Sequence, residues 1–419
     1  MTHAAFSRRT LMRGGLAAGL LTVPGVRHVA YAAGGAGGQD RTLVVVFLRG
    51  GADTLNLVAP ADDPDYVAAR APDMRVSTGG AGAGLPIAQR LAPAVDFRLH
   101  PEAAPLADLY TARHLTIIPA TGIPDGTRSH FVAQDLMERG VAAEADLSRT
   151  PTGWAARWTA APGPGGAGPL AVAAASSTPA ALAGDGAALA VNGLQYGLAP
   201  PGGPRTAAVL QALHANDPTP YGRAGRAALD GLARVDARLP RAQPGGPVEP
   251  YAAEGGAVYE DTEAGRGLLT VARLLKMDMG VRLAWVDVGG WDTHENQPPR
   301  FAAAVRQLSR ALAAFHADTS RFHGSLAVVV MTEFGRRLRS NRSQGTDHGH
   351  AGTMLVLGGG VDGGMLGRWP GLATAQLDRG VDLAVTTDYR AVLSAVMGPA
   401  AARSVFPGYG GGPLPGLWG

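Results

Sequence analysis

Three clusters of acids and imidazoles in this chain each stand beside an apolar run. Gly289-Gly290-Trp291-Asp292-Thr293-His294 comes just after Val281-Arg282-Leu283-Ala284-Trp285-Val286, and Thr332-Glu333-Phe334-Gly335-Arg336 follows Leu326-Ala327-Val328-Val329-Val330-Met331. Gly345-Thr346-Asp347-His348-Gly349-His350 leads into Thr353-Met354-Leu355-Val356-Leu357. Asp292 and His294 are two residues apart, so an extended segment turns both to one side, where a single hard cation takes both. The same spacing joins His348 and His350, with Asp347 beside them pointing away unless the glycines bend the chain. Carboxylate plus imidazole suits zinc, manganese or iron better than calcium, which prefers oxygen ligands alone. The competing reading is that Asp292 caps the next helix and the histidines only hydrogen-bond their glycine loops.

Ser129 stands where a helix is expected to begin, so the free N–H groups of a first turn would stabilise an anion carried on its oxygen. Serine is equally a preferred N-cap, a role that contributes about 1 kcal/mol without any chemistry. No Gly-x-Ser-x-Gly is present, so activation of this serine would require a metal. Arg49, Arg128 and Arg336 adjoin the motif positions and are candidates to clamp an oxyanion. His100 and His130 are candidates for a supporting shell that orients ligands. Asn56 joins Asp53 in the turn Arg49-Gly50-Gly51-Ala52-Asp53-Thr54-Leu55-Asn56, and Trp291 reads as core packing over the Gly289-Gly290 turn.

Positioning these groups requires strands that end beside one another. Thr42-Leu43-Val44-Val45-Val46-Phe47-Leu48 is a continuous apolar run of strand length, as expected for a strand buried on both faces. Residues 101–113 have helical spacing, residues 114–119 read as the next strand, and residues 130–139 as an amphipathic helix. Strand and helix alternation predicts parallel β-α-β units, with ligands gathered at the carboxyl ends of the strands. Later elements are expected at 257–278 (helix), 281–287 (strand), 300–317 (helix), 325–331 and 353–358 (strands) and 388–397 (helix). Residues 150–255, interrupted by Pro and Gly, read as an insertion or cap with short strands near 169–175 and 187–191 and helices near 205–214 and 221–239.

The 419 residues are ample for a large α/β core, and 46% apolar with 17% charged residues is a globular composition. Cysteine is absent, which excludes disulfides and thiolate chemistry, so any metal here needs His, Asp or Glu. Ser7-Arg8-Arg9-Thr10-Leu11-Met12, a weakly apolar stretch and Ala30-Tyr31-Ala32 predict a twin-arginine signal peptide over residues 1–32. Its apolar stretch is too short for a stable span, so no membrane helix is expected in the processed chain. Without those residues 33 basic face 34 acidic side chains, and no nucleic-acid surface is indicated.

Taken with Leu99-His100-Pro101 and Arg128-Ser129-His130-Phe131, the motifs above resemble the bacterial twin-arginine-exported family called domain of unknown function 1501. That family is similar, distantly, to the alkaline phosphatase and sulfatase superfamily. The resemblance implies one α/β domain over residues 33–419, a three-layer sandwich whose mostly parallel central sheet is flanked by helices. It implies Ser129 as nucleophile and Asp53, Asp292, His294, Asp347 and His348 or His350 as metal ligands. The superfamily usually has an Asp-His pair directly at a strand end, whereas Met331 here is followed by Thr332, Glu333 and Phe334. Either Glu333 takes the place of the usual Asp, or the following loop folds back to supply Asp347 and His348. The implied activity is metal-dependent hydrolysis of a phosphate or sulfate ester on a small molecule or glycan, after export by the twin-arginine translocase. The alternative is a cell-envelope binding or assembly protein that keeps the fold without turnover.

Overall fold

Branched and aromatic residues favour a pleated, doubly buried strand, and the run after Arg41 forms β1 (Thr42–Leu48). The computed structural model describes residues 41–80, 82–160, 170–198, 202–358, 360–398 and 401–418. The expected signal peptide, residues 1–32, lies outside them. The described residues fall within one unit, Gly37–Gly419.

After β1 come α1 (Ala104–Thr111), β2 (Leu115–Gly122), α2 (His130–Arg139), α3 (Trp154–Thr159), β3 (Leu170–Ala173) and β4 (Leu189–Ala190). There follow α4 (Gly203–Ala215), α5 (Pro220–Arg238), α6 (Glu263–Lys276), β5 (Val281–Val288), α7 (Gln297–Asp318), β6 (Leu326–Thr332) and β7 (Gly352–Gly358). Short strands β8 (Gly364–Met365) and β9 (Thr387–Asp388) precede α8 (Tyr389–Met397). The main sheet runs β8-β2-β7-β6-β1-β5-β3-β4, with β9 also pairing β2. Strand β7 is antiparallel to both its neighbours, and the other pairings are parallel. The protein is therefore an α/β fold with a central, mostly parallel sheet.

Successive side chains of a strand point to opposite faces, and β1 divides its residues accordingly. Val44, Val46 and Leu48 pack with Leu106, Leu268, Leu274, Phe301, Leu308 and Phe315 of α1, α6 and α7. Leu43, Val45 and Phe47 pack with Leu136, Met137, Trp154, Trp158, Val392 and Val396 of α2, α3 and α8 on the other face. Helices thus cover both faces, and loops are left to gather at the strand ends. The stretch 150–255 contributes α3, the edge strands β3 and β4, and the paired helices α4 and α5.

Helix α6 begins later than its apolar pattern suggests, because Thr262 caps it by accepting from the Gly265 N–H (3.1 Å). The chain just before it is tied instead to the buried Asp318 at the end of α7. That carboxylate accepts from the Glu254 N–H (2.6 Å), Tyr251 (2.7 Å), Tyr259 (2.9 Å) and Lys276 (2.5 Å). Five groups from three segments therefore close one end of the α6 and α7 pair.

Candidate metal centre

The ends of β1, β2, β5 and β6 lie on the same side of the sheet because these strands run parallel. Strand β7 runs the opposite way, so the residues that precede it, 345–351, return to that same side. The connection folds back as a hairpin, with Arg337 N–H donating to Asp347 (2.9 Å), Gly349 N–H to Gly335 (2.9 Å) and Gly335 N–H to His350 (2.9 Å). This hairpin brings Asp347 and His348 back beside the end of β6. Two glycines allow the close approach of these loops. A Cβ on Gly50 would lie 2.6 Å from the Asp292 nitrogen, at φ +117°, and one on Gly345 would lie 2.1 Å from the His294 carbonyl carbon.

At this meeting point His130 Nε2, His294 Nε2 and His348 Nε2 approach Asp292 Oδ1 at 3.5, 3.0 and 3.4 Å. His294 Nε2 and His348 Nε2 are 2.8 Å apart. A tetrahedral zinc site with bonds of about 2.0 to 2.1 Å separates its donor atoms by roughly 3.3 to 3.4 Å, which the contacts of His130 and His348 with Asp292 match. His130, Asp292 and His348 each offer an atom within 4.8 Å of the others.

The hydrogen bonds on the far side of each ring decide what the near side offers. His130 Nδ1 meets Glu333 Oε1 at 2.8 Å, His294 Nδ1 meets Asp347 Oδ1 at 3.3 Å, and His348 Nδ1 meets the Arg128 carbonyl at 2.8 Å. A backbone carbonyl or an ionised carboxylate only accepts, so each Nδ1 carries the hydrogen, and a ring that is neutral, as one bound to a metal must be, turns its lone pair inward from Nε2. His130 Nε2 is buried and has no hydrogen-bond partner among the described residues. Two lone pairs 2.8 Å apart repel unless a cation lies between them.

Electrostatics agree. Burial pushes the Glu333 carboxyl up, but hydrogen bonds from His130, Gln134 and the Gly50 N–H outweigh it and hold the group below its ordinary value. Burial raises the Asp292 carboxyl, and the Arg336 guanidinium 2.5 Å from Oδ1 more than reverses this. The Asn341 amide and His294 lower Asp347. The hydrogen bond to Glu333 raises His130, whereas burial lowers His348 and favours its neutral form. Three carboxylates, Asp292, Glu333 and Asp347, thus stay ionised around the cluster, with Arg336 on the first and Arg337 nearest the third, and such a set attracts a cation. The donor set therefore fits zinc, manganese or iron.

Of the residues singled out from the sequence, Asp292, His294, Asp347 and His348 come together, and His130, read there as a supporting residue, joins them directly. Glu333 stands behind His130 rather than beside Asp292. Asp53 is fully buried in a bidentate pair with Arg70 (2.5 and 2.9 Å) and accepts from Gln297 (2.6 Å), away from the cluster. His350 donates from Nε2 to the Ile123 carbonyl (2.9 Å) and faces Asp378. Asn56 accepts from Tyr66 (3.2 Å). Trp291 is buried in the core.

The arginines are committed too. Arg49 binds Glu138, Asp287 and Gln134, while Arg128 binds Asp382, Asp378 and the Gly126 carbonyl. Arg336 is buried and joins the carbonyls of Gly50, Gly51 and Thr346 to Asp292, so it staples three loops. Gln134 and Gln297 escaped the sequence reading because their partners Glu333 and Asp53 lie 199 and 244 positions away, and Arg70 because nothing in its own segment marks it as the partner of Asp53. Ser129 is exposed and caps α2 through a long contact of 3.5 Å from the Val132 N–H.

His100 stands apart from the cluster, where its Nδ1 accepts from the Glu102 N–H (3.1 Å). Burial lowers its pKa to about 4. The unfolded chain takes up this proton near pH 6.5 and the folded one only near 4, so stability is lost as pH falls across that window, by about 2 to 3 kcal/mol. His100→Asn retains a capping oxygen without the titration. Urea unfolding at pH 7 and pH 4 should show a smaller loss for this variant than for the wild type.

Residues 243–398 match the family model described as a protein of unknown function, DUF1501. Over that stretch the chain is similar to the DUF1501 family. The matched stretch holds Asp292, His294, Glu333, Asp347 and His348, while Ser129 and His130 precede it. No curated protein matches the chain. Among solved structures it is similar to the C-terminal periplasmic domain of EcEptC from Escherichia coli in complex with zinc, at 9% identity over 78% of this chain and 74% of that one, with a TM-score of 0.33. The PH0037 protein from Pyrococcus horikoshii matches at 12% identity over 76% and 86%, with a TM-score of 0.27. At such scores neither likeness informs the chemistry. No helix among the described residues is long and apolar enough to cross a membrane.

Proposed function

We propose that this protein is a member of the DUF1501 family and an exported, divalent-metal-dependent hydrolase of phosphate or sulfate esters on an alkaline-phosphatase-like sandwich. The observation that carries the reading is the convergence of three Nε2 lone pairs on the Asp292 carboxylate, each imposed by an acceptor behind its ring. His130, His294, His348 and Asp292 would hold the ion, with Glu333, Asp347 and the Arg128 carbonyl fixing the rings. A bound divalent ion supplies Lewis acidity and eases deprotonation of a nearby hydroxyl.

Ser129 supports an ester-cleaving role. It lies between Arg128, whose carbonyl holds His348, and His130, which points into the cluster. Its hydroxyl is exposed, and the free N–H groups at the start of α2 are suited to an anionic ester oxygen. The arginines Arg8 and Arg9 support delivery by the twin-arginine route.

The test begins with metal analysis of protein purified without chelator, followed by assay of aryl phosphate and aryl sulfate esters. Ser129→Ala is expected to abolish hydrolysis at unchanged metal content. Because the capping contact is long, stability should fall by no more than about 1 kcal/mol. Full hydrolysis by the variant would remove Ser129 as nucleophile, and a metal-loaded wild type inert to both ester classes would favour the binding-protein alternative.

A further inference from the structure

Two of the loops that carry the cluster's side chains meet on one buried amide. Thr293 separates Asp292 from His294, and Thr346 stands just before Asp347 and His348. Both hydroxyls turn inward and donate to the same atom, Gln297 Oε1, at 3.0 and 2.7 Å. Thr293, Thr346 and Gln297 are all fully buried. Gln297 is the first residue of α7, a helix of 22 residues whose Phe301, Val305, Leu308 and Phe315 pack in the core. The oxygen therefore ties two mobile-by-nature segments, both loops, to a rigid element.

The direction of the amide is imposed from behind. Gln297 Nε2 donates to Asp53 Oδ2 (2.6 Å), and Arg70 holds that carboxylate at 2.5 and 2.9 Å. A carboxylate only accepts, so the NH2 end faces Asp53 and the carbonyl end faces the threonines. Flipped, the amide would set acceptor against acceptor at Asp53. Backbone bonds bring the same segments together, with Thr346 N–H donating to the Thr293 carbonyl (3.2 Å) and Gln297 N–H to the Gln344 carbonyl (2.7 Å). The shared oxygen adds the facing of each loop. With Thr293 pinned inward and buried, its neighbours Asp292 and His294 are turned outward to the cluster.

We propose that Gln297 is a positioning residue of the metal centre, whose single amide oxygen, aimed by the Asp53 and Arg70 pair, sets the separation and facing of the Asp292-His294 and Asp347-His348 loops. Asp53 thereby serves the centre without touching it, and an asparagine there still offers the acceptor that the Gln297 amide needs. This role rests on the cluster being a metal centre.

Zinc affinity of the folded chain, measured by competition against a chelator well below the melting temperature, is the test. Gln297→Met keeps the length of the side chain without its hydrogen bonds and is expected to weaken zinc by about 10-fold, the lower end of what losing a ligand-orienting group costs. Thr346→Val should weaken zinc as well, and Thr346→Ser, which keeps the hydroxyl, should bind as the wild type does. Introduced into Gln297→Met, Thr346→Val should cause no further loss, since its partner is already gone. In cobalt-substituted protein the visible absorption bands of Gln297→Met and Thr346→Val should shift from those of the wild type, and those of Thr346→Ser should not. An amide that only supports the fold would lower the melting temperature of Gln297→Met while leaving zinc affinity and the cobalt bands unchanged, and that result overturns the proposal. Should Gln297→Met not fold, Thr346→Val and Thr346→Ser carry the same comparison, and equal affinity in the two overturns it. A wild-type chain that binds no zinc would instead remove the metal centre itself, and this role with it.

Discussion

His348→Ala is expected to weaken zinc binding by on the order of 100-fold or more and to bring any metal-dependent activity down with it. The magnitude follows from removing one of the three donors that lie within 4.8 Å of one another, when loss of a residue that merely orients a ligand costs 10 to 100-fold. His130→Ala and Asp292→Ala should behave alike, for their atoms stand 3.5 and 3.4 Å from their neighbours in the same set. Glu333→Gln is the informative intermediate. Its amide can present either an oxygen or a nitrogen to His130 Nδ1, and only the first preserves the inward lone pair. A loss of 10 to 100-fold is expected there, read by competition against a chelator of known affinity. If His348→Ala and Glu333→Gln both bind zinc as the wild type does, the centre lies elsewhere.

The sheet was legible because its strands are buried on both faces. A run such as Val44-Val45-Val46-Phe47 leaves little alternative to a central parallel strand, and the structure places β1 between β5 and β6. Helix α2 was legible for a local reason as well, since Ser129 caps it and Gly140, at φ +72°, ends it. The middle of the chain was less so. Strands β3 and β4 span four and two residues, and their place in the sheet depends on pairing with β5 and with each other rather than on any pattern of their own.

At the site, spacing found the pairs that a single loop carries, Asp292 with His294 and Asp347 with His348. It failed where the third dimension decides. His348 and His350 have the two-residue separation that suggests a shared ion. The structure instead turns His348 toward Asp292 and His350 toward Asp378. His130 looked like support because it opens a helix far from the acidic motifs. It becomes a donor only because β2 and β5 end on the same side of the sheet. Glu333 shows the reverse, a strand-end acid in the expected place whose oxygens are spent on Gly50, Gln134 and His130.

Asp53 is where the family resemblance and the structure assign different work, and a pair of variants separates them. If the carboxylate serves Arg70, then Arg70→Met leaves a fully buried charge with only the Gln297 amide beside it, and stability should fall by about 3 to 5 kcal/mol. Asp53→Asn keeps the shape of the side chain and removes the charge, which leaves the Arg70 guanidinium with the carbonyls of Arg337 and Leu338. Its cost should be smaller, because a hydrogen-bonded guanidinium is better satisfied than a lone carboxylate. In both variants the zinc count at the centre is expected to stay at the wild-type value, since Gln297 and not Asp53 connects this network to Thr293 and Thr346 beside the ligands. A ligand role predicts the opposite pattern: Asp53→Asn would lose zinc at little cost in stability, and Arg70→Met would keep it. Denaturant unfolding in chelator, paired with zinc dialysis of the same preparations, distinguishes the two.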